Sequence, residues 1–132
     1  MSGKLSVNGA KGYQSAEYLI AFNHTDFQLK LTSVIAMSQW LIDSKNQQLS
    51  INQKTVDANL EQWMQHQMGW YFPIRELRKI VFNQEFNDPN WQLSILRYQQ
   101  IKNQRYPKIL KLEHKHQAIQ IKLQIGQVNQ LK

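Results

Sequence analysis

Asp26-Phe27-Gln28-Leu29-Lys30-Leu31-Thr32-Ser33 is the stretch that decides the fold. Phe27, Leu29 and Leu31 share one parity and Gln28, Lys30 and Thr32 the other, the period of a strand with one dry face and one wet face. The same alternation lies on both sides. Upstream it occupies Lys4–Gly9, with Leu5 and Val7 on one face, and Ala16–Phe22, with Tyr18 and Ile20 inward. Downstream, Met37–Asp43 carries Trp40 and Ile42 on one parity, and Gln48–Asn52 carries Leu49 and Ile51 after a polar turn at Ser44–Gln47. The chain opens as an antiparallel meander.

The period then changes. Leu60, Trp63, Met64 and Met68 recur at helical spacing. Thr55 is the expected N-cap, with Asp57 set against the helix dipole. Gly69 ends this helix, and Pro73 suits the first turn of a second, in which Ile74, Leu77, Ile80 and Val81 form the apolar stripe to about Phe82. The result is a two-helix insert over about residues 56–82. After a polar stretch with an Asp88-Pro89 turn signal, alternation returns in Trp91, Leu93 and Ile95 toward Tyr98. It continues in Pro107–Glu113, with Leu110 and Leu112, and in Ala118–Ile125, with Ile119, Ile121, Leu123 and Ile125. About eight one-faced strands need a cover, and the insert is the apolar-striped cover on offer. The fold class is mainly β (α+β): a curved antiparallel sheet with the helices on its concave side, forming one domain over residues 1–132.

At 132 residues such a domain buries roughly two-thirds of its unfolded surface, enough for a core without staples. The sequence has no cysteine, hence no disulfide or thiolate chemistry. No stretch approaches the ~20 apolar residues of a membrane span, and Met1-Ser2-Gly3-Lys4 leads straight into strand pattern without a signal-peptide core. Sixteen Lys and Arg against nine Asp and Glu give a net charge of +7, which suits an anionic partner. The cations are spread from Lys4 to Lys132 rather than gathered in one stripe, so nucleic acid is not the expected partner.

Chemistry-bearing groups are sparse. His114 and His116 stand two apart without a third ligand nearby, so an exposed polar face is expected rather than a metal pair. Asp57 and Glu61 lack an accompanying nucleophile or oxyanion donor. No phosphate loop, nucleophile elbow or His-Glu-x-x-His is present, so neither an enzyme nor a cofactor is expected. Trp40, Trp63 and Trp91 fall where the pattern demands core. Trp70, beside Tyr71 and Phe72, is placed at the mouth of a pocket. Val34-Ile35-Ala36-Met37 puts four apolar residues where a polar turn would be expected, and on pattern alone a buried strand and an exposed loop are equally open.

Several segments together resemble the LolB family of outer-membrane lipoprotein receptors. Gly3-Lys4-Leu5-Ser6-Val7 resembles the family's first strand, and Leu29-Lys30-Leu31-Thr32-Ser33-Val34-Ile35-Ala36 its strand running into a Leu-Thr-Asn-Pro-Leu-Gly loop. Thr55-Val56-Asp57-Ala58 resembles a Thr-Ala-Asp-Asp helix start. Gly69-Trp70-Tyr71-Phe72-Pro73 with Leu77-Arg78 resembles Gly-Trp-x-x-Pro-x-x-x-Leu-Arg. Trp91, Leu93, Ile95 and Tyr98 are similar to Trp-x-Ile-x-Tyr-x-x-Tyr, and Tyr106-Pro107-Lys108 with Leu110-Lys111-Leu112-Glu113 to Leu-Pro-x-x-Leu-x-Leu-Glu. Val34 and Ala36 replace the loop's Pro and Gly, Ile95 replaces a tyrosine, and the strand usual before Trp91 is missing. A smaller sheet and a different cavity shape should follow. The family's signal peptide and lipid-attached cysteine are absent from this sequence, so a trimmed soluble form or an unanchored relative is expected.

The resemblance implies a half-barrel, closed by helices, that acts as a monomer on the periplasmic side of the outer membrane. It would take acylated lipoproteins from a LolA-like periplasmic carrier and pass them to the inner leaflet of the outer membrane. Ile35, matching the family's protruding leucine, would enter that leaflet, with Val34 and Ala36 beside it. The hydrophobic cavity would be walled by the inward residues Leu5, Val7, Tyr18, Ile20, Phe27, Leu29, Leu31, Trp40, Ile42, Leu60, Trp63, Met64, Leu77, Ile80, Leu93, Leu110, Leu112, Ile121 and Leu123. Each buried CH₂ of an acyl chain is worth about 0.8 kcal/mol, so such chains need a dry container in transit. Exchange between two similar cavities changes that burial little, so transfer needs no nucleotide. A carrier of free lipid and a basic nucleic-acid binder are the rival readings.

Overall fold

The computed structural model describes residues 1–9, 12–23, 26–33, 39–83 and 85–128. Among these, nine strands form one antiparallel sheet: β1 Ser2–Gly9, β2 Gly12–Asn23, β3 Asp26–Thr32, β4 Gln39–Lys45, β5 Gln48–Ile51, β6 Lys54–Val56, β7 Trp91–Ile101, β8 Gln104–His114 and β9 Gln120–Gln127. Helix α1 spans Leu60–Met68, and α2, Ile74–Arg78, runs on into a π-helical turn at Lys79–Asn83. The strand order is β6-β5-β4-β3-β2-β1-β9-β8-β7, and the sheet stays open as a half-barrel with β6 and β7 as its edges. The helical insert leaves at one edge and returns at the other, so it must cross the sheet. Its apolar stripe sends it across the dry, concave face.

The register joins inward residues into rows. Leu29 lies opposite both Ile20 and Ile42, and Ile42 opposite Ile51. Leu5 faces Leu123, which faces Leu110, while Val7, Ile121, Leu112 and Leu93 form the next row. From the roof, Met64, Phe72, Ile74, Leu77 and Ile80 enter the same core. Helix α1 buries Leu60, Met64 and Met68, one residue per turn, each worth roughly 1.5–3 kcal/mol. Trp40 on β4 meets Trp63 on α1 edge to face at 5.2 Å, fixing the helix over that strand.

Three hairpins turn on pairs of left-handed residues: Asn46-Gln47, Asn52-Gln53 and Lys102-Asn103 all have positive φ. A two-residue loop with both centres at positive φ matches the right-handed twist of its strands. Gly3 is needed for another reason. A Cβ there would lie 1.9 Å from the Gln124 carbonyl oxygen, at the bulge where β1 shifts register on β9.

Some expectations are corrected. Thr55 is not an N-cap, because Lys54–Val56 is a third hairpin partner, β6, which is also why there are nine strands rather than about eight. The helix starts at Leu60, with the Asn59 side chain accepting from the Gln62 N–H at 2.8 Å, and Glu61 rather than Asp57 is the acid of its first turn. The roof therefore begins at residue 60, not 56. Gly69 ends α1 in the left-handed conformation as expected. Strand β4 begins at Gln39, Met37 lying outside the described residues.

Candidate functional site

Among the described residues, two openings lie between the roof and the strands, one at each end of α1. The first, about 290 Å³, lies at the rim where β1 ends and β2 begins, and is lined by Leu5, Gln14, Ser15, Ala16, Leu31, Ser33, Trp40, Gln67, Met68 and Trp70. The second, about 310 Å³, lies at the opposite rim between Phe27, Ser44, Gln47 and Leu49 of the sheet side, Ala58 and Asn59 just before α1, and Leu60, Glu61, Ile74 and Arg75 of the roof. Each is near the lower end of the roughly 300–1,000 Å³ range of ligand pockets. The first has the more continuous apolar wall.

Between the openings the sheet and the roof share one buried cluster. Tyr18, Ile20, Leu29, Ile42, Met64, Leu77, Ile80, Leu110, Leu112, Ile121 and Leu123 are buried against one another there. Of the expected wall residues, the structure gathers Leu5, Leu31 and Trp40 around the first opening and Phe27 and Leu60 around the second. Trp63 is half-buried on Trp40. Val7 is buried in the core, and Leu93 is half-buried beside an open groove along β7. Val34, Ile35 and Ala36 lie outside the described residues, but Ser33, which precedes Val34 in the chain, lines the first opening. Sequence pattern did not reveal Gln14, Ser15, Ser33 and Gln67 as lining residues, because polar side chains at strand and helix ends carry no inward signal.

The junction Gly69-Trp70-Tyr71-Phe72-Pro73 ties the roof to both halves of the sheet. On one side Trp70 Nε1 donates to Gln14 Oε1 at 3.3 Å, and Gln14 Nε2 donates to the Met68 carbonyl at 3.2 Å. The rim approaches closely there: a Cβ on Gly9 would sit 3.3 Å from the Gly69 carbonyl oxygen and 3.4 Å from Trp70 Cβ. On the other side, the Tyr71 hydroxyl lies 2.9 Å from His114 Nε2 at the end of β8. Tyr71, His114 and Trp91 pack edge to face, with centroids 4.9 to 5.8 Å apart. Trp70, expected at a pocket mouth, is 3% exposed and lines the first opening while stacking on Phe72.

His114 is thus not part of an exposed polar face, which corrects the sequence reading. Its Nδ1 accepts from the backbone N–H of His116 and of Gln117, each at 3.0 Å. The neutral ring therefore carries its proton on Nε2 and donates it to the Tyr71 hydroxyl. Burial, then the neighbouring His116, lowers the His114 pKa below its ordinary 6.5, against an opposing pull from Asp88. Burial, Asp88 and Glu61 raise that of Tyr71. His116 lies beyond the end of β8, and among the described residues no group of three His, Cys, Asp or Glu could hold a metal ion. No described helix is long and apolar enough to cross a membrane.

Fold and site together define a class: an open antiparallel half-barrel whose apolar concave face is roofed by a short helical insert, with openings under the roof's ends. A family model described as Outer membrane lipoprotein LolB matches residues 1–85, from β1 through the roof. The chain belongs to the LolB family, whose members serve lipoprotein localisation to the outer membrane and interact with lipoproteins and the LolA carrier. The match stops before β7–β9. No curated protein matches the chain.

Proposed function

We propose that this protein, acting as a monomeric single domain over residues 1–132, holds the acyl chains of lipoproteins between its concave face and its helical roof. It receives them from a LolA-like carrier and releases them into the inner leaflet of the outer membrane. The observation that carries this reading is the rim opening, where Leu5, Ala16, Leu31, Trp40, Met68 and Trp70 converge from sheet and roof. An acyl tip entering there meets apolar groups on both sides. Lodging a longer chain requires α1 to slide or lift toward the second opening, giving up part of the Met64 packing and the Trp40–Trp63 contact, which burial of the acyl chain offsets. Val34, Ile35 and Ala36 follow Ser33 of that wall in the chain, so residues proposed to touch lipid sit next in sequence to the opening. Nucleotide is not needed, because transfer between similar apolar containers leaves the burial term nearly unchanged.

The test is native mass spectrometry of the chain with a triacylated lipopeptide, alongside Ala16→Phe, which fills the opening from a half-buried position. The wild type retains the lipopeptide and Ala16→Phe weakens retention by on the order of tenfold, the loss of one to two buried methylenes' worth of contact. Equal retention by both proteins removes this opening from the mechanism. Uptake of free fatty acid with no release of lipopeptide to vesicles points instead to a free-lipid carrier.

A further inference from the structure

The convex face carries apolar side chains that neither the core nor the proposed acyl site uses. Tyr13 is 68% exposed and Leu96 56%. Both border a shallow concavity of about 310 Å³ on the outside of the sheet, shared with Ser6, Asn8, Lys111 and Lys122. The residues come from five adjacent strands, β2, β1, β9, β8 and β7. Tyr13 lies opposite Asn8, Ser6 opposite Lys122, and Lys122 opposite Lys111. Leu96 falls in the irregularity between Ile95 and Arg97.

Like charges directly opposite on neighbouring strands oppose folding, yet Lys111 and Lys122 are such a pair. Glu113 offsets one of them, its Oε1 lying 3.3 Å from Lys111 Nζ. Lys122 has no acidic partner among the described residues. The face therefore keeps an uncompensated cation between two exposed apolar groups, a combination that stability alone does not select.

We propose that this convex patch is a contact with an anionic phospholipid surface, distinct from the acyl opening. Lys111 and Lys122 receive headgroup phosphates, while Tyr13 and Leu96 seat at the boundary between headgroups and acyl chains. Tyrosine at that boundary and lysine above it form the ordinary pairing of interfacial proteins. A folded protein partner would favour a packed apolar centre with charge at its edge. Here the charge is central, and the apolar groups stand on strands separated by three others, which suits a fluid surface whose molecules adjust laterally. Tyr13 also immediately precedes Gln14, which lines the rim opening and clasps Trp70. Tyr13 and Gln14 point to opposite faces of β2, so patch and opening share one rim from its two sides. The inference rests on the chain working at a membrane.

Vesicle co-sedimentation tests it, with phosphatidylethanolamine–phosphatidylglycerol vesicles against pure phosphatidylcholine. The wild type binds the anionic vesicles, and each of Lys111→Gln and Lys122→Gln weakens binding about fivefold, with raised salt doing the same. Tyr13→Ser weakens binding to anionic vesicles at high salt, where the apolar contribution remains. Undiminished anionic binding by the double lysine variant, equal binding to both vesicle types, or capture of polyglutamate in preference to vesicles each overturns the proposal. Retention of the lipopeptide is read separately. Both lysine variants keep it, and a wild type that sediments with vesicles but never retains lipopeptide defeats the acyl reading while leaving this one intact.

Discussion

Gln14 and Trp70 hold each other across the rim of the half-barrel, the indole Nε1 donating to the Gln14 side-chain oxygen at 3.3 Å. The same Gln14 amide donates to the carbonyl of Met68, the last residue of α1. One side chain of β2 thus holds the end of the roof helix and the first aromatic of the junction.

Trp70→Phe keeps most of the ring and deletes the donor, so it is expected to cost on the order of 1 kcal/mol in urea denaturation. Gln14→Ala should cost a similar amount and loosen the roof end, seen as faster amide exchange at Met68 and Gly69. A Gln14→Ala protein with unchanged exchange there shows that the clasp does not restrain the helix.

His114 sets a pH dependence. Its folded pKa lies below its ordinary value of 6.5. Between the two, the unfolded chain binds more protons than the native one, so stability rises with pH. The contribution is fully present above 6.5 and declines as the pH falls toward the folded pKa. His114→Asn keeps an acceptor oxygen near the position of Nδ1 for the turn N–H groups but does not titrate. Melting temperatures measured from neutral to mildly acidic pH should fall for the wild type and flatten for the variant, and parallel curves refute the assignment.

Gly3 has no room for a side chain. Gly3→Ala forces a methyl group toward the Gln124 carbonyl and the Tyr18 hydroxyl that donates to it at 3.1 Å. It is expected to destabilise by about 3 kcal/mol, the upper end of overpacking costs. Tyr18→Phe, which only removes the hydroxyl, should cost about 1 kcal/mol. Equal, small effects would mean that β1 and β9 separate easily at that point.

The hairpin turns are candidates for stabilisation. Gln53 has φ 71° and Gln47 φ 65°, conformations that cost an L-residue roughly 1–2 kcal/mol relative to glycine. Gln53→Gly and Gln47→Gly should each raise the unfolding free energy by up to about 1 kcal/mol, after the entropy glycine adds to the unfolded chain. Asn52 is left alone because its Oδ1 accepts from the Leu41 N–H at 2.9 Å.

For the membrane step, Ile35→Glu is expected to fold and retain lipopeptide normally but to lose release into vesicles, since a carboxylate replaces the side chain proposed to enter lipid. Wild-type release by this variant removes Ile35 from the mechanism.

Much of this molecule could be read from residue pattern. The alternation in Phe27, Leu29 and Leu31 gave a one-faced strand, and the spacing of Leu60, Met64 and Met68 with Gly69 gave a helix and its end. The family likeness rested on several segments in order, among them the junction Gly69–Pro73, whose Trp70 lines the rim opening. The start of α1 was less legible. Thr55 and Asp57 have capping chemistry, yet the Asn52-Gln53 turn folds Lys54–Val56 back onto β5, and that pairing outweighs local preference. His114 was misjudged for a similar reason, since its partners Tyr71 and the 116–117 backbone meet it only after β8 and the roof are assembled.

The amino-acid order by itself determined which residues form strands, which form the roof and which faces are dry, because side-chain period is a local property of backbone geometry. Only the tertiary structure decided that the sheet and the roof open toward solvent at both ends of α1. It also decided that Gln14 and His114 hold the roof, and that Lys111 and Lys122 stand side by side. Each of these depends on register and on the crossing of the insert from edge to edge, which are set by long-range pairing and by packing of the whole sheet.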